Sequence, residues 1–218
     1  MPCPMVHLAV AVKIHDQRQS TPSPDFLLGS IAPDAIHMRA GSGPDDKQRV
    51  HFSELIDPQH ERLQLLLARS GSSGCSTMGF TEGYVAHILT DHLWGETIGV
   101  SFRKRIPPDL PLQERGSLYY LETDQIDMDL YRQVPWRTEV WSKLASTQPR
   151  DFTTLLTADE ISKWRDRTLA WYEDMKHEPK IKPVYITGEE VNDFINQAVK
   201  VILATFTGWN YRKSPLTY

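Results

Sequence analysis

The longest apolar helical pattern of the chain covers residues 80 to about 102, with the sequence FTEGYVAHILTDHLWGETIGVSF. At 3.6 residues per turn, His87 and Asp91 share one face with Tyr84 and Ile88. The pattern therefore predicts a buried helix that places an imidazole and a carboxylate one turn apart. Groups that carry or bind charge are costly in an apolar interior unless something compensates them, and a divalent cation would do so.

Two helical patterns near the start of the chain lead to further polar residues. Residues 5–16 repeat apolar side chains at helical spacing and carry His7. A short helix is expected to begin at Pro24 and to be ended by Pro33. Because the residue before a proline is biased away from helix, Asp34 should follow on a rigid bend just beyond a buried helix end.

The remaining segments also read as helices and loops. Two long helices are expected after capping boxes, in which Thr157 pairs with Glu160 and Thr187 with Glu190. Further helices are predicted at 58–69, at 118–132 and after Pro135, and loops at 37–50, 70–79 and 103–117. Neither a strand pattern nor an internal repeat is visible. We expect an all-α fold, with residues 1–218 forming a single domain, an irregular bundle of about seven or eight helices.

Composition and charge exclude some classes of function. A formal net charge of −4 and a pI near 6.1 provide no basic face for duplex nucleic acid. The start lacks the basic region of a signal peptide, and no apolar run approaches the roughly 20 residues that span a bilayer, so we expect a cytoplasmic protein without a transmembrane segment. Cys3 and Cys75 are expected to be free thiols. The sequence does not indicate the oligomeric state.

Several blocks of the first hundred residues combine histidine and aspartate. His7 lies in the first helix, GSIAPD contains Asp34, His51 precedes Phe52, and GYVAHILTDHLW contains an H-x-x-x-D pair. In this order the blocks resemble the zinc-dependent phospholipase C family, and in particular its small bacterial branch. That family has an all-helical phosphoesterase fold, which it shares with zinc-dependent single-strand nucleases. The resemblance covers about residues 5–100.

The resemblance implies a metal centre. It implies that His51, His87 and Asp91 bind one ion, that Asp34 bridges to a second ion, and that His7 helps to hold the second. Imidazoles and carboxylates suit zinc or another divalent first-row metal. Asp34 and Asp91 would also be the catalytic carboxylates, and a metal-activated water would attack a small phosphate ester.

A third ion is not expected. The family's three-zinc enzymes supply a further set of histidines and a glutamate after the H-x-x-x-D pair. Here the only histidine after His92 is His177, in a polar segment. One or two ions are therefore expected. His92 itself is expected to pack beside the site, because it lies about 100° round the helix from Asp91.

Three other residues near the predicted site could contact the substrate. His37 follows Asp34 by three residues, Lys47 lies in the polar segment before His51, and Trp94 is close to the H-x-x-x-D pair. All three are candidates for substrate binding, although polar loop residues are often only solvated. A second acidic group consists of Glu122, Asp124 and Asp127. A solvated acidic helix face is favoured for it over an acid/base or metal role.

Two other functions stay open. An HD-type phosphohydrolase, also helical and metal-dependent, needs a histidine followed directly by aspartate, and the only such pair is His15–Asp16. The pair falls at the end of the first predicted helix, where we expect it to be exposed. The other possibility is a non-catalytic helical protein that binds a metal or another ligand. A closed coordination sphere would support it, because catalytic sites keep a position for water.

Overall fold

The computed structural model describes residues 3–53, 63–66, 75–174 and 176–211. In these ranges the chain forms nine α-helices and one 3₁₀ helix besides the helical segment 63–66, and it forms no strand beyond an isolated bridge between Phe152 and Leu156. The α-helices are α1 Pro4–Gln17, α2 Pro24–Gly29, α3 Pro44–His51, α4 Cys75–Glu96, α5 Ile98–Arg105, α6 Leu112–Gln133, α7 Arg137–Ala145, α8 Ala158–Asp174 and α9 Gly188–Tyr211. The 3₁₀ helix, Ala32–Met38, lies between α2 and α3. The all-α prediction is confirmed, with more helices than expected.

Both predicted capping boxes are present. The N–H of Thr157 donates to the Glu160 carboxylate at 2.8 Å, and the N–H of Glu160 donates to the Thr157 hydroxyl at 3.3 Å. Thr187 and Glu190 exchange the equivalent bonds at 3.0 and 3.2 Å. These bonds satisfy N–H groups that the first turn of a helix leaves without partners, so they define where α8 and α9 begin.

All three segments predicted as loops contain helix, 70–79 through the start of α4 and the other two as follows. α3 takes up residues 44–50 of the predicted loop 37–50, where Pro44 is the first helical residue and the N–H of Gly43 donates to Asp46 at 3.2 Å. Its only buried apolar residue is Val50, so it carries almost no hydrophobic periodicity. α6 begins at Leu112, inside the predicted loop 103–117. Of the predicted helix 58–69, only 63–66 are described, and they are helical; the rest of it and residues 70–74 lie outside the described residues.

The central apolar pattern forms two helices instead of one. α4 starts at Cys75, within the predicted loop 70–79, and ends at Glu96. Thr97 leaves the helical region with φ −111° and ψ −85°, and α5 starts at Ile98. The apolar pattern continues across the break because both helices bury side chains in the same core.

α4 lies at the centre of this core, where it contacts α1, α2, α5, α9 and the 3₁₀ helix. Its backbone touches that of α2 at two glycines. A Cβ added to Gly29 would lie 2.1 Å from the carbonyl oxygen of Phe80, and one added to Gly83 would lie 2.1 Å from that of Phe26. No side chain fits at either position. In the described part of the chain, no helix has both the length and the apolar character that a membrane span requires.

The prediction of a solvated acidic face on α6 is wrong for two of its three residues, because Glu122 and Asp127 are buried. Glu122 accepts four N–H bonds of 2.7–3.1 Å from Val184, Tyr185 and Ile186. Asp127 accepts the hydroxyl of Tyr172 and two N–H groups from the first turn of α1. Both carboxylates thus connect α6 to other elements, which periodicity along one helix does not reveal.

Candidate metal centre

Five side chains that are far apart in sequence meet beside α4. α1 contributes His7, the 3₁₀ helix Asp34, the last residue of α3 His51, and α4 both His87 and Asp91. All are buried except Asp91, whose side chain is 12% exposed. The H-x-x-x-D spacing works as predicted, because Nε2 of His87 lies 3.6 Å from Oδ2 of Asp91 one turn along the helix.

The backbone orients two of the imidazoles. Nδ1 of His87 lies 2.8 Å from the carbonyl oxygen of Ser30, and Nδ1 of His51 lies 3.0 Å from that of Lys47. A carbonyl oxygen only accepts hydrogen bonds, so Nδ1 carries the hydrogen in both rings. Nε2 of each ring therefore presents its basic position to the cluster, the arrangement that metal-binding histidines use. The contact of α2 with α4 at Gly29 and Gly83 brings Ser30 within this reach.

The imidazoles also lie close to the two carboxylates. Nε2 of His51 lies 3.4 Å from Oδ1 of Asp34 and 3.6 Å from Oδ2 of Asp91. Nε2 of His7 lies 3.4 Å from Oδ1 of Asp91, and its ring stacks on that of His87 at 3.7 Å between centroids. The ligand atoms form two sets, each within 4.8 Å: one of His7, Asp34 and His87, and one of His51, His87 and Asp91.

Electrostatics at the cluster favour an added positive charge. Burial alone would raise the pKa of Asp34, but the imidazole of His51, 3.4 Å away, and those of His87 and His7 hold that pKa well below its usual range. The pKa of Asp91 is also lowered, because the adjacent imidazoles of His87 and His7 outweigh its burial. Burial, with His7 next to it, lowers the pKa of His87 to about 3. At neutral pH the site thus holds two carboxylates and a neutral His87.

The pKa of His51 is raised by the same two carboxylates. Its burial would lower its pKa, yet the carboxylate of Asp34 at 3.4 Å and that of Asp91 at 3.6 Å raise it. Among the described residues, several buried polar atoms of the cluster have no hydrogen-bond partner: both ring nitrogens of His7, Nε2 of His87, Oδ1 of Asp34 and Oδ1 of Asp91. Buried polar atoms without partners are rare, and a cation among them would satisfy several at once.

The donor set fits a divalent first-row metal. Three imidazole nitrogens and two carboxylates are the ligands that zinc prefers. Because His87 belongs to both sets and has a single lone pair at Nε2, the two sets, as they stand, cannot both be filled. The geometry therefore supplies one complete position at a time, formed around His87.

The cluster opens into a cavity of about 640 Å³ through Asp34. His37 and Lys47, two predicted substrate contacts, line this cavity, and Nε2 of His37 lies 3.9 Å from Oδ1 of Asp34. Trp94 does not reach it. Its side chain is buried, its indole N–H donates to the Tyr119 hydroxyl at 2.6 Å, and its ring packs against Phe194 of α9. The structure thus places Trp94 in the core, away from the cavity.

His92 is outside both ligand sets. Its Nε2 lies 3.4 Å from the carboxylate of Glu96, one turn along the surface of α4. The pair His15–Asp16 is outside them as well. Asp16 is exposed at the end of α1, and Nδ1 of His15 lies 2.9 Å from the hydroxyl of Ser20.

Sequence reasoning missed most of the opposite wall of the cavity. It consists of residues from the first turn of α1, from α6 and from α8: Cys3, Pro4, Tyr120, Asp124, Asp127, Trp164, Arg167, Thr168, Trp171 and Tyr172. Cys3 is a free thiol, as expected, and its Sγ donates to Asp124 at 3.3 Å. Burial raises the pKa of Asp124 above its ordinary value and that of Asp127 to about 7. The unusual density of acidic residues on α6 was the only signal that could have pointed to this wall.

Comparison of the chain with family models, with curated proteins and with solved structures gives no match. The case for a function therefore rests on the residues of the cluster and of the cavity.

Proposed function

We propose that this protein is a metal-dependent hydrolase of phosphoric esters, with one first-row divalent ion, zinc being the best fit, held around His87. The hypothesis is supported mainly by one observation. Three imidazoles and two carboxylates converge within 3.4–3.6 Å in a buried cluster, several of their atoms have no hydrogen-bond partner among the described residues, and Asp34 opens the cluster to a cavity.

Each residue has a role in this proposal. His51, His87 and Asp91 hold the ion, Ser30 and Lys47 orient the imidazoles through their carbonyls, and His7 and Asp34 complete the charge balance. A bound ion of this kind polarises a phosphoryl oxygen and lowers the pKa of a coordinated water.

Asp34 is suited to hold or accept a proton at the edge of the cavity, because it is the only one of the five ligands that lines it. Hydrolysis adds water across the P–O bond and releases an alcohol and a phosphate. The proton removed from the water would pass by way of Asp34 to the oxygen of the leaving alcohol, so that the alcohol is released neutral.

The open cavity favours catalysis over a purely structural metal, because a structural site fills all its positions with protein ligands. The HD-type alternative would need the pair His15–Asp16 to bind metal. The exposure of Asp16 gives that alternative no support.

The test is hydrolysis of 4-nitrophenyl phosphate and of bis(4-nitrophenyl) phosphate by the full chain. Activity should vanish after chelation and return when zinc, manganese or cobalt is added. The variant Asp34→Asn should lower kcat by about 100-fold or more, as expected for loss of an acid/base group. Hydrolysis of neither ester with any of the metals would contradict the proposal, and it would favour a non-catalytic metal-binding protein if the metal still binds.

A further inference from the structure

Two cations line the cavity, which Asp34, Asp124 and Asp127 also line, without forming an ion pair with any of these carboxylates. Lys47 enters from α3 and Arg167 from α8, and within the described ranges neither side chain forms an ion pair or a side-chain hydrogen bond. Other cations near them behave differently. Arg39 pairs with Glu160 at 2.6 Å, and Lys163, which like Arg167 lies on α8, pairs with Asp159 at 2.7 Å.

Stacking fixes the guanidinium of Arg167. Its Cζ lies 5.1 Å from the ring centroid of Trp164 and 5.4 Å from that of Trp171, which are its neighbours on the same face of α8. Contact with aromatic faces holds the guanidinium plane, while its N–H groups, which lie in that plane, stay available. An arginine held in this way loses little freedom when its N–H groups bind two oxygens of a phosphate.

Both cations lie close to the metal cluster. Lys47 is one helical turn before His51, and its carbonyl orients that ligand. On the other side, His37 lies 3.9 Å from Asp34, and its ring lies 5.9 Å from that of Trp164, on which Arg167 stacks. His37 thus lies between the two walls, and Lys47 and Arg167 line the same cavity as Asp34.

We propose that Lys47 and Arg167 form a binding site for a dianionic phosphoryl group, so that the substrate is a phosphate monoester. This inference rests on the proposed function. A monoester carries close to two negative charges above its second pKa of about 6, whereas a diester carries one. Two cations that form no ion pair among the described residues complement the former.

The rest of the cavity defines the alcohol part of the substrate. Met38, Trp164, Trp171 and Tyr120 provide apolar and aromatic surface around the cations. An aromatic or other apolar alcohol would pack there, because ligand sites combine such surface with a few polar groups that fix orientation. The substrate class is therefore a phosphate monoester of an apolar or aromatic alcohol.

The experiment compares three variants of the metal-loaded full chain: Lys47→Met, Arg167→Gln and, as matched control, Lys163→Ala, which removes a cation of α8 outside the cavity. Titration with inorganic phosphate by calorimetry should show that Kd for phosphate rises by about tenfold or more in the first two variants. This is the size expected for a lost charge-assisted hydrogen bond. Lys163→Ala should bind phosphate like the wild type. Metal content should be the same in all four proteins.

Kinetics give the second readout. In the wild type, kcat/KM should be higher for 4-nitrophenyl phosphate than for bis(4-nitrophenyl) phosphate. Arg167→Gln should raise KM for the monoester more than KM for the diester. Unchanged phosphate affinity in Arg167→Gln, no phosphate binding by the wild type, or a wild-type preference for the diester would overturn the proposal. If neither ester is hydrolysed, the proposed function fails, but the phosphate titration still decides whether Lys47 and Arg167 bind an anion.

Discussion

Asp127 is a buried carboxyl whose environment opposes its ionisation. Burial raises its pKa to about 7, even though Tyr172 and the N–H groups of Met5 and Val6 donate to it. An aspartate in an unfolded chain titrates near 3.9. Between these values the folded protein holds a proton that the unfolded chain has released, so folding becomes less favourable as the pH rises.

The first prediction concerns the pH dependence of stability. The contribution of Asp127 is complete below about pH 4 and is lost as the pH rises through about 7. Asp127→Asn does not titrate, so its free energy of unfolding should improve relative to the wild type across this window. Urea unfolding of both proteins at several pH values measures the difference. Asp129→Asn, on the same helix but more exposed, is the control. If the difference in the free energy of unfolding between Asp127→Asn and the wild type does not vary with pH, Asp127 does not have a raised pKa.

Single residues show how far the sequence alone reaches. The family resemblance implied the five proposed ligands as a set, and the structure brings their side chains together, while their binding of a metal stays a prediction. Trp94 was misplaced because proximity in sequence was taken for proximity in space. It lies about two turns beyond His87, where α9 covers that face of the helix. Arg167 was missed because a cation on an amphipathic helix has the pattern of an ordinary solvated residue.

At the scale of elements, the contact between α2 and α4 positions the metal centre. The two glycines let the backbones touch, and the carbonyl of Ser30 then orients His87. Any side chain at Gly83 must separate the helices. The same separation would weaken the hydrogen bond to His87.

The second prediction compares two glycines of α4. Gly83→Ala would place a Cβ 2.1 Å from the carbonyl oxygen of Phe26, so it should destabilise the fold by about 1–3 kcal/mol or more and weaken metal binding. Gly95→Ala meets nothing within 4 Å and should be neutral or stabilising by up to about 1 kcal/mol. Thermal unfolding and zinc affinity of both variants check this. Equal behaviour of the two variants would mean that the close helix contact does not position His87.

Elements with a local signal were predictable, and those without one were not. The capping boxes gave the starts of α8 and α9, since their hydrogen bonds form within one turn. α3 was taken for a loop because its side chains are almost all polar and its stability comes from Pro44, the Asp46 bond and burial of Val50 and His51. The buried carboxylates of α6 depend on partners at least 45 residues away in sequence, which no local pattern encodes.

At the scale of the whole molecule, the proposed ion connects α3, which carries His51, to α4, which carries His87 and Asp91, and it lies beside His7 of α1 and Asp34 of the 3₁₀ helix. The third prediction follows from this connection. A ligand that binds only the folded chain stabilises it by about 4 kcal/mol at a thousandfold excess over Kd. Chelation should therefore lower Tm by several degrees, and zinc should restore it. A Tm that does not respond to chelator or zinc would mean that no ion links these elements.

The overall class of the molecule was predictable because every long apolar pattern has helical period. Its cavity was not, because α8 faces the 3₁₀ helix across more than 120 residues of sequence, as the bond of Arg39 to Glu160 shows. Such a pairing is set by packing between elements, which a single sequence does not display.

The central claim is that His51, His87 and Asp91 hold a metal ion, with His7 and Asp34 beside it, and metal stoichiometry tests it most directly. Elemental analysis should be made on the wild type, Asp91→Asn and the control Asp16→Asn, each loaded with zinc, dialysed and confirmed as helical by circular dichroism. The wild type and Asp16→Asn should retain about one ion per chain, since Nε2 of His87 has one lone pair, and Asp91→Asn should retain almost none. A wild type that retains no ion, or an Asp91→Asn protein that retains as much as the wild type, would contradict the claim.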